Sequence, residues 1–372
     1  MHFSYWEKTE WLGPIDYLIV GGGITGMATA VFLRELQPKK QVAVIEAGML
    51  PYGASTRNAG FACFGSAAEV RSDIKAFGES AVYQLMERRL RGLRLLEQML
   101  GPRQLDLQFC GGYDLFRPAE KEQFEAVKDE LAALNELFYP LFRAPVFKSY
   151  PREFPFKNVA GLIRNEFEGQ LNPGRMMQAF RKKAELLGVK LFYGAALDSW
   201  SEGSKSLTAY LKNGAELTCE KLLLCTNAFT AKLIDRPVRA VRNQVLITKP
   251  HPAVNWRGCF HLEEGHLYFR NVGQRVLIGG GRQHFGEAEE TSEMETSAPV
   301  QSFLENQLRE LIFPDGEFEI EQRWSGLLGL GEAKTPVLEQ YSDRVYLAAR
   351  LGGMGVALGS ALGQDLAKLA SP

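Results

Sequence analysis

The chain has 372 residues, of which 45% are hydrophobic and 23% are charged, and its formal net charge at neutral pH is -1. This composition is ordinary for a globular protein and excludes a disordered or fibrous chain. The length allows one large or two medium domains, because a single core rarely grows beyond about 250–300 residues. A charge balance near zero creates no long-range attraction for nucleic acid or an anionic membrane, so the expected partner is a small molecule.

Several kinds of segment and site are not expected. Residues 1–11 lack the basic start and apolar block of a signal peptide, which favours a cytoplasmic protein. The apolar stretches 17–32 and 346–362 are interrupted by glycines and are not expected to span a membrane. The five cysteines form no C-x-x-C pair and the histidines form no H-E-x-x-H motif, so neither a disulfide nor a metal site is predicted.

The first elements in chain order are a strand, a helix and a strand. Residues 17–20 form a short apolar run that leads directly into glycines, which predicts a buried parallel strand. A helical pattern over 24–37 ends before Pro38, and the valine- and isoleucine-rich run 41–45 predicts the second strand. This order is the beginning of a βαβ unit.

Two amphipathic helices are predicted next, over 80–100 and 120–137. The first carries a cluster of arginines that could bind phosphate, but leucines and glutamates among them favour an ordinary solvated helix face. The cluster consists of Arg88, Arg89, Arg91 and Arg94.

In the rest of the chain, two segments of alternating helices and strands are predicted, and an antiparallel sheet is predicted between them. In chain order we predict a helix over 175–187, strands over 189–193, 206–211 and 221–225, antiparallel strands over 244–248, 266–269 and 275–278, an exposed acidic turn or helix start over 287–295, a strand over 344–349 and a helix over 356–369.

A glycine motif lies between the first predicted strand and the first helix. Gly21, Gly23 and Gly26 form G-x-G-x-x-G, in which the glycines allow a tight turn, approach of a pyrophosphate, and close packing of the helix on the strand. Backbone N–H groups and the positive end of the helix would bind the phosphates. Glu46 ends the second strand about 20 residues further on, the expected position of an acceptor for a ribose 2′-hydroxyl. The motif by itself does not distinguish NAD from FAD.

The segment Gly53-Ala54-Ser55-Thr56-Arg57-Asn58-Ala59-Gly60-Phe61 contains the string G-A-S-x-x-N-A-G. Together with the glycine motif, it resembles the D-amino-acid oxidase superfamily of FAD enzymes, which includes sarcosine, glycine and γ-glutamylputrescine oxidases. The resemblance extends to Asn172-Pro173-Gly174, to Cys225-Thr226-Asn227-Ala228 and to the C-terminal Arg350-Leu351-Gly352-Gly353-Met354-Gly355-Val356. It therefore implies that FAD lies between the two terminal glycine turns.

This resemblance implies an α/β fold with a Rossmann-type FAD-binding domain built from discontinuous segments and an α+β substrate domain with an antiparallel sheet. The FAD-binding domain is expected over 12–80, 155–237 and 325–372, and the substrate domain over 81–154 and 238–324. The expected cofactor-binding residues are Gly21, Gly23, Ile24, Thr25, Gly26, Glu46, Ala47, Ser55, Thr56, Arg57, Asn58, Ala59, Gly60, Phe61, Ala196, Thr226, Asn227, Gly326, Gly352, Gly353, Met354, Gly355 and Val356.

The chain also departs from the pattern of this superfamily. The arginine that often follows Trp-x-Gly-Leu and binds a substrate carboxylate is replaced by Leu328, and Gly353 stands where a second such arginine is common. Leu277 stands where sarcosine-oxidase-type members place a lysine that assists the reaction of the reduced flavin with oxygen. The electron acceptor is therefore expected to be either oxygen or an unknown oxidant. The candidate substrate contacts are Arg242, Tyr268, Arg270 and Arg323.

The expected function is oxidation of a small amine or amino acid by hydride transfer from the α-carbon to flavin N5, which gives an imine. The flavin carries this chemistry, so no catalytic side chain is named. No cysteine lies in the C-terminal flavin segment, which favours noncovalent FAD, although Cys63 is near the flavin loop. The alternatives are an NAD(P)H-dependent reductase, which would need a second nucleotide motif near Gly279–Gly281, and a non-catalytic or RNA-modifying FAD-binding protein.

Overall fold

The structure is a computed structural model that describes residues 3–151, 153–314 and 316–371. Its strands are β1 (Ile15–Val20), β2 (Val42–Glu46), β3 (Phe61–Ala62), β4 (Gly112–Phe116), β5 (Phe147–Tyr150), β6 (Gly161–Asn165), β7 (Gly169–Gln170), β8 (Lys190–Tyr193), β9 (Leu197–Glu202), β10 (Leu207–Leu211), β11 (Glu216–Leu224), β12 (Arg239–Thr248), β13 (Cys259–Leu262), β14 (Leu267–Val272), β15 (Arg275–Gly280), β16 (Ile320–Leu330), β17 (Val337–Gln340) and β18 (Val345–Ala349). Its α-helices are α1 (Ile24–Leu36), α2 (Ala67–Phe77), α3 (Glu79–Leu100), α4 (Pro102–Leu105), α5 (Lys121–Phe142), α6 (Pro173–Leu186), α7 (Ala298–Leu311) and α8 (Gly355–Ala370).

The first sheet has the predicted parallel core. Its order is β17-β18-β11-β1-β2-β8, in which β18, β11, β1, β2 and β8 are parallel, while β17 is antiparallel to β18 and the β9–β10 hairpin extends β11. Helices α1, α6 and α8 pack on one face through buried side chains that include Met27, Phe180 and Leu362. Strand β1 is central, so the strand order reverses direction at its carboxyl end, which is where such sheets bind ligands.

The second sheet is antiparallel except for one pair. Its order is β16-β12-β15-β14-β13-β4-β6-β5, and β13 runs parallel to β4. Its core is aromatic: Phe260 and Phe269 stack with ring centroids 4.7 Å apart, and Phe156 and Trp256 pack edge-on against them. The antiparallel sheet predicted for the middle of the chain is therefore confirmed, and β4, β5, β6 and β16 extend it.

Two expected domain boundaries do not follow the strands. Strand β6 lies in the second sheet, although the expected FAD-binding segment 155–237 includes it, because β6 pairs with β4 and β5 from earlier in the chain. Strand β16 crosses the expected boundary between 324 and 325, since all of it from Ile320 to Leu330 pairs with β12. Cross-strand pairing, which the local sequence does not encode, decides both cases.

Three local predictions were correct only in part. Helix α5 continues past 137 to Phe142, because Phe138 and Phe142, one on each side of Pro140, are buried on the same face of the helix. In the arginine cluster on α3, Arg89 is only 4% exposed and pairs with Glu69, while Arg88 and Arg91 pair with Asp365. The acidic stretch 287–295 is not entirely exposed, since the buried Glu289 lies 2.7 Å from Arg242.

Within the described ranges, no helix combines the length and the hydropathy needed to cross a membrane. The five cysteines are all described, and all are free thiols.

Candidate active site

The turn after β1 requires glycine at two positions. Gly21 has φ of +106°, and a Cβ there would lie 2.7 Å from the Cys225 carbonyl oxygen. A Cβ on Gly26 would lie 1.9 Å from the Gly21 carbonyl oxygen. Gly26 therefore lets α1 begin directly against β1, and Gly23, Ile24 and Thr25 at the start of α1 line a cavity at this end of the strand. This is the geometry of a phosphate-binding helix start.

Ser55 and Glu46 border this turn. The Ser55 hydroxyl accepts a hydrogen bond from the Ile24 N–H at 3.0 Å, and it is the atom that a side chain at Gly23 would meet. Glu46 is 8% exposed and its carboxylate accepts hydrogen bonds from the Gly22 and Gly48 N–H groups at 2.9 and 3.0 Å. Burial raises the pKa of Glu46, and these backbone donors lower it in part. They orient the carboxylate at the end of β2, where a ribose hydroxyl is expected.

The loop 53–61 is held rigidly between the two sheets. The Asn58 side chain donates to the Ala54 and Ser55 carbonyls and accepts from the Gly60 N–H, so it closes the loop on itself. Arg57 donates to the Ser325 carbonyl at 3.0 Å, and the Trp324 indole N–H donates back to the Arg57 carbonyl at 2.9 Å. The loop predicted to lie beside the flavin is thus fixed to β16.

The C-terminal glycine turn borders the same cavity as the turn after β1. The Asn227 side-chain oxygen accepts hydrogen bonds from the Arg350 and Leu351 N–H groups at 3.1 and 3.2 Å. The Gly352 N–H donates to the Gly329 carbonyl at 3.1 Å. These bonds join the end of β11, strand β16 and the start of α8. The two terminal turns, which are more than 300 residues apart in sequence, therefore border one cleft.

This cleft consists of two adjoining cavities of about 380 and 250 Å³. Both are lined by Ala54, Asn58, Leu328, Leu351, Gly352, Gly353 and Val356. Among the residues predicted to bind FAD, only Gly26 and Thr56 line neither cavity: Gly26 packs beneath the turn, and the Thr56 hydroxyl donates to the Pro51 carbonyl. An elongated cleft with amide donors at one end and an apolar slot between two sheets fits a dinucleotide that carries a flat ring.

The four candidate substrate residues occupy different environments. Tyr268 lines the 250 Å³ cavity, and its hydroxyl accepts a hydrogen bond from the Asn243 side chain at 2.7 Å. Burial raises the pKa of Tyr268 to about 12, so the hydroxyl stays protonated. Arg242 pairs with Glu289, and Arg323 pairs with Glu305. Neither arginine lines the cavity.

Arg270 lies behind the flavin loop rather than in the cavity. Its guanidinium donates to the carbonyls of Ala59 and Leu171 and to the Gln170 side chain, and burial lowers its pKa. These bonds hold the loop from behind, so the interpretation of Arg270 as a cavity-facing substrate contact was wrong. An arginine in a strand can face either side of a sheet, and the sequence does not reveal which partners will satisfy it.

Comparison with known proteins identifies the family. The family model for DAO, FAD dependent oxidoreductase, matches residues 16–369. The chain belongs to the DAO family. Among curated proteins it is similar to the probable oxidoreductase OrdL of Haemophilus influenzae, with 22% identity over 95% of this chain and 82% of that protein.

Solved structures of two oxidases have the same fold. Iminodiacetate oxidase from Chelativorans sp. BNC1 superposes with a TM-score of 0.78 and 18% identity, covering 96% of each chain. Glycine oxidase from Geobacillus kaustophilus has a TM-score of 0.75 and 21% identity, covering 96% of this chain and 95% of that one. The predicted fold class and cofactor are therefore confirmed: this protein is an FAD-dependent oxidoreductase.

The family and the structure bear on the alternatives drawn from the sequence, and both favour an FAD-dependent oxidoreductase. An NAD(P)H-dependent reductase would need a second nucleotide-binding βαβ unit near Gly279–Gly281. Those glycines instead end β15, an antiparallel strand, and a short 3₁₀ turn follows in place of an α-helix. Non-catalytic FAD binding is not supported by a family whose description is an oxidoreductase.

Several polar residues of the substrate-side cavity were not predicted, among them Arg282, His266 and Asn243. Arg282 lies 3.4 Å from the His266 ring Nδ1, and among the described residues no carboxylate pairs with its guanidinium. Burial lowers the pKa of Arg282 and also that of His266. Arg282 directly follows Gly281, whose φ is +75°. An arginine after a glycine-rich strand end is the one local signal that could have drawn attention to it.

A thiol, a carboxylate and an imidazole, those of Cys63, Glu168 and His261, lie within 4.8 Å of one another next to this cavity. The Glu168 oxygens already accept hydrogen bonds from the Phe64 and Gly65 N–H groups and lie 3.2 Å from the His261 ring. Burial raises the pKa of Cys63 to about 12. Hydrogen bonding accounts for this cluster, and the absence of a metal site stays a prediction.

Proposed function

We propose that this protein oxidises a small amino acid whose carboxylate binds Arg282, with FAD bound noncovalently in the cleft. Similarity to an iminodiacetate oxidase and a glycine oxidase supports a substrate that carries both an amine and a carboxylate. When bound, FAD supplies the acceptor for the hydride that leaves the carbon next to nitrogen. The product is then an imine, which water hydrolyses.

The observation that carries this proposal is the unpaired charge of Arg282 in the cavity. A guanidinium stays protonated in proteins, and its planar donors match a carboxylate in two parallel hydrogen bonds. Arg282 is half-buried, and leaving such a group partly removed from water without an anion costs free energy. A substrate carboxylate would supply the missing partner, and the Tyr268 hydroxyl is placed to donate a further hydrogen bond, because Asn243 occupies its acceptor side.

Noncovalent binding of FAD is supported by the state of the thiols. Cys63 lines the substrate-side cavity but is buried, and its raised pKa keeps it a poor nucleophile. The electron acceptor and the cytoplasmic location stay predictions from the sequence.

The first test is an anaerobic titration of the purified, FAD-loaded protein with a panel of amino acids, with their decarboxylated amines, and with NADH. We expect the flavin absorbance to bleach with a member of the amino-acid series and not with NADH. Bleaching by NADH alone would contradict the proposal. The active member is then used with the variant Arg282→Met, which removes the charge and keeps the length of the side chain.

For Arg282→Met we expect the dissociation constant of the amino acid to rise roughly 10- to 150-fold, since a hydrogen bond to a charged group is worth about 1.5–3 kcal/mol. The matched control is Arg323→Met, because Arg323 pairs with Glu305 outside the cavity and should leave binding unchanged. If Arg282→Met weakens the amino acid and its decarboxylated analogue equally, Arg282 does not bind the carboxylate.

A further inference from the structure

One corner of the substrate-side cavity contains a histidine oriented by a buried carboxylate. His261 is on β13, is 9% exposed, and its ring Nε2 lies 3.2 Å from a carboxylate oxygen of Glu168, which is fully buried. The other oxygen of Glu168 accepts hydrogen bonds from the Phe64 and Gly65 N–H groups at 3.0 and 3.1 Å. Because the first of these Glu168 oxygens is the acceptor that faces the ring, Nε2 of His261 carries its proton toward Glu168.

The other ring nitrogen of His261 faces the cavity beside Gly265. A Cβ placed on Gly265 would lie 4.0 Å from His261 Nδ1 and 3.9 Å from Glu69 Oε2, and all three residues line the cavity. With Nε2 protonated, Nδ1 of the neutral ring has a free lone pair. The space next to Gly265 is therefore bordered by two acceptors, which suits an ammonium group rather than an anion.

Acidic groups outnumber basic ones around His261. Glu168 approaches from the segment between β6 and β7, Asp114 from β4 and Glu69 from α2, while Glu264 lines the same corner. Arg89 and Lys334 are the cations, and both bind Oε1 of Glu69 rather than Oε2. Burial lowers the pKa of His261, but the Glu168 hydrogen bond and the surrounding carboxylates outweigh it, so this pKa is raised above its usual value.

We propose that His261 is a catalytic base that takes a proton from the ammonium group of the substrate, and that Glu168 is its positioning residue. The proposal rests on the proposed amine oxidation. In this step one N–H bond breaks, its electron pair stays on the substrate nitrogen as a lone pair, and the proton forms a bond to His261 Nδ1. The neutral amine can then lose hydride from its α-carbon, which an ammonium group cannot assist. Water removes the proton from His261 after the product leaves.

The test is the pH dependence of flavin reduction in single turnovers of the FAD-loaded protein at limiting substrate, for the wild type and His261→Gln. The glutamine amide can still donate to Glu168 but cannot accept a proton. For the wild type we expect the rate constant to rise with pH through the pKa of His261 and then level off, because only the neutral ring accepts the proton.

For His261→Gln we expect a loss of about 100-fold or more near pH 7, since general-base catalysis is typically worth 10²–10⁴-fold. Only substrate that is already neutral can react in this variant. The rise of the rate constant with pH, which is the acid limb of the profile, should therefore move up to the pKa of the free substrate amine, near pH 10. The control is His251→Gln, a half-buried histidine outside the cavity whose ring packs against Phe313, which should keep the wild-type profile. An unchanged acid limb in His261→Gln would overturn the proposal.

A second measurement does not depend on turnover. In ¹⁵N-histidine NMR spectra of the wild-type protein we expect neutral His261 to carry its proton on Nε2, and its pKa to fall in Glu168→Gln. A proton on Nδ1 would rule out this base. The FAD content and circular dichroism of each variant show whether it is folded. If no amine reduces the wild-type flavin, the proposed function itself fails; if amines do and the variant profile is unchanged, only the role of His261 fails.

Discussion

At the scale of single residues, the partners of a charged group determine what it can do. Arg242, Arg270 and Arg323 have carboxylate, carbonyl or amide partners, so each stabilises a particular contact between elements. Arg282 has no anionic partner among the described residues and lies in a cavity. The four arginines thus differ in role, because the residues that surround them come from distant parts of the chain.

Asp114 on β4 provides a prediction about stability. It is 4% exposed, its carboxyl accepts a hydrogen bond from the Ala68 N–H at 2.8 Å, and burial raises its pKa to about 7. In the unfolded chain this pKa is about 3.9. The folded state therefore holds the proton over a pH range in which the unfolded state has lost it, and stability falls as the pH rises from about 4 to about 7.

The variant Asp114→Asn keeps an acceptor for Ala68 and has no proton to lose. We expect its free energy of unfolding to lose this part of the pH dependence, a change of roughly 2–4 kcal/mol for a shift of this size. Urea unfolding of the FAD-loaded protein at pH 5 and pH 8 measures it. Asp129→Asn, on the exposed face of α5, is the control. The assignment would be wrong if Asp114→Asn and the wild type differed by the same amount at both pH values.

At the scale of elements, helix α8 is positioned by close glycine contacts on two sides. Gly359 and Gly363 face α1, where added Cβ atoms would lie 2.5 Å from Ile24 Cγ2 and 2.7 Å from Ala28 Cβ. Gly92 of α3 faces α8, where a Cβ would lie 1.9 Å from the Ala357 carbonyl oxygen. These contacts fix where the amide end of α8 meets the cleft.

The variant Gly92→Ala separates packing from helix propensity. Alanine would stabilise an isolated helix by about 1 kcal/mol relative to glycine. Here we expect a net loss of about 1–3 kcal/mol in the free energy of unfolding, because the methyl group forces α3 away from α8. We also expect weaker FAD binding, since the start of α8 moves. Gln84→Ala, at an exposed position of the same helix, should change stability by less than about 0.5 kcal/mol. A stabilised Gly92→Ala would contradict this packing.

At the scale of the whole molecule, the cleft lies between the two sheets, and residues from both sheets line it. The turn after β1 and the start of α8 belong to the first sheet, while Tyr268 on β14 and Leu328 on β16 belong to the second. A ligand that fills such a cleft stabilises the folded state through mass action, because the unfolded chain does not bind it.

Removal of FAD should therefore lower the stability of the protein. At a free FAD concentration of 100 times its dissociation constant, we expect a gain of about 2.7 kcal/mol over the deflavinated protein, measured by urea unfolding. Glu46→Gln should reduce the stabilisation by FAD but not that by FMN, which lacks the adenosine ribose. A folded protein that gains nothing from either flavin, but is stabilised by NAD, would contradict the assignment.

The sequence by itself determined the Rossmann turn, the flavin loop and the C-terminal turn. These depend on short-range requirements: a positive φ at Gly21, a close approach at Gly26 and a hydrogen-bonded turn around Asn58 permit few other residues. The parallel sheet could be predicted as well, because the strands and helices next to these turns have clear apolar runs or helical spacing in the sequence. Strands β4, β5 and β6 were missed because pairing across the sheet, rather than local pattern, creates them.

Only the tertiary structure decided which charged residues face the cavity. Arg282, His261 and Glu168 belong to different segments, and no spacing in the sequence relates them. Their positions follow from the faces that β13 and β15 present and from partners that either satisfy a charge or leave it free. A charged side chain acquires its role from the burial and the neighbours it gains on folding, and these are properties of the assembled sheets rather than of the local sequence.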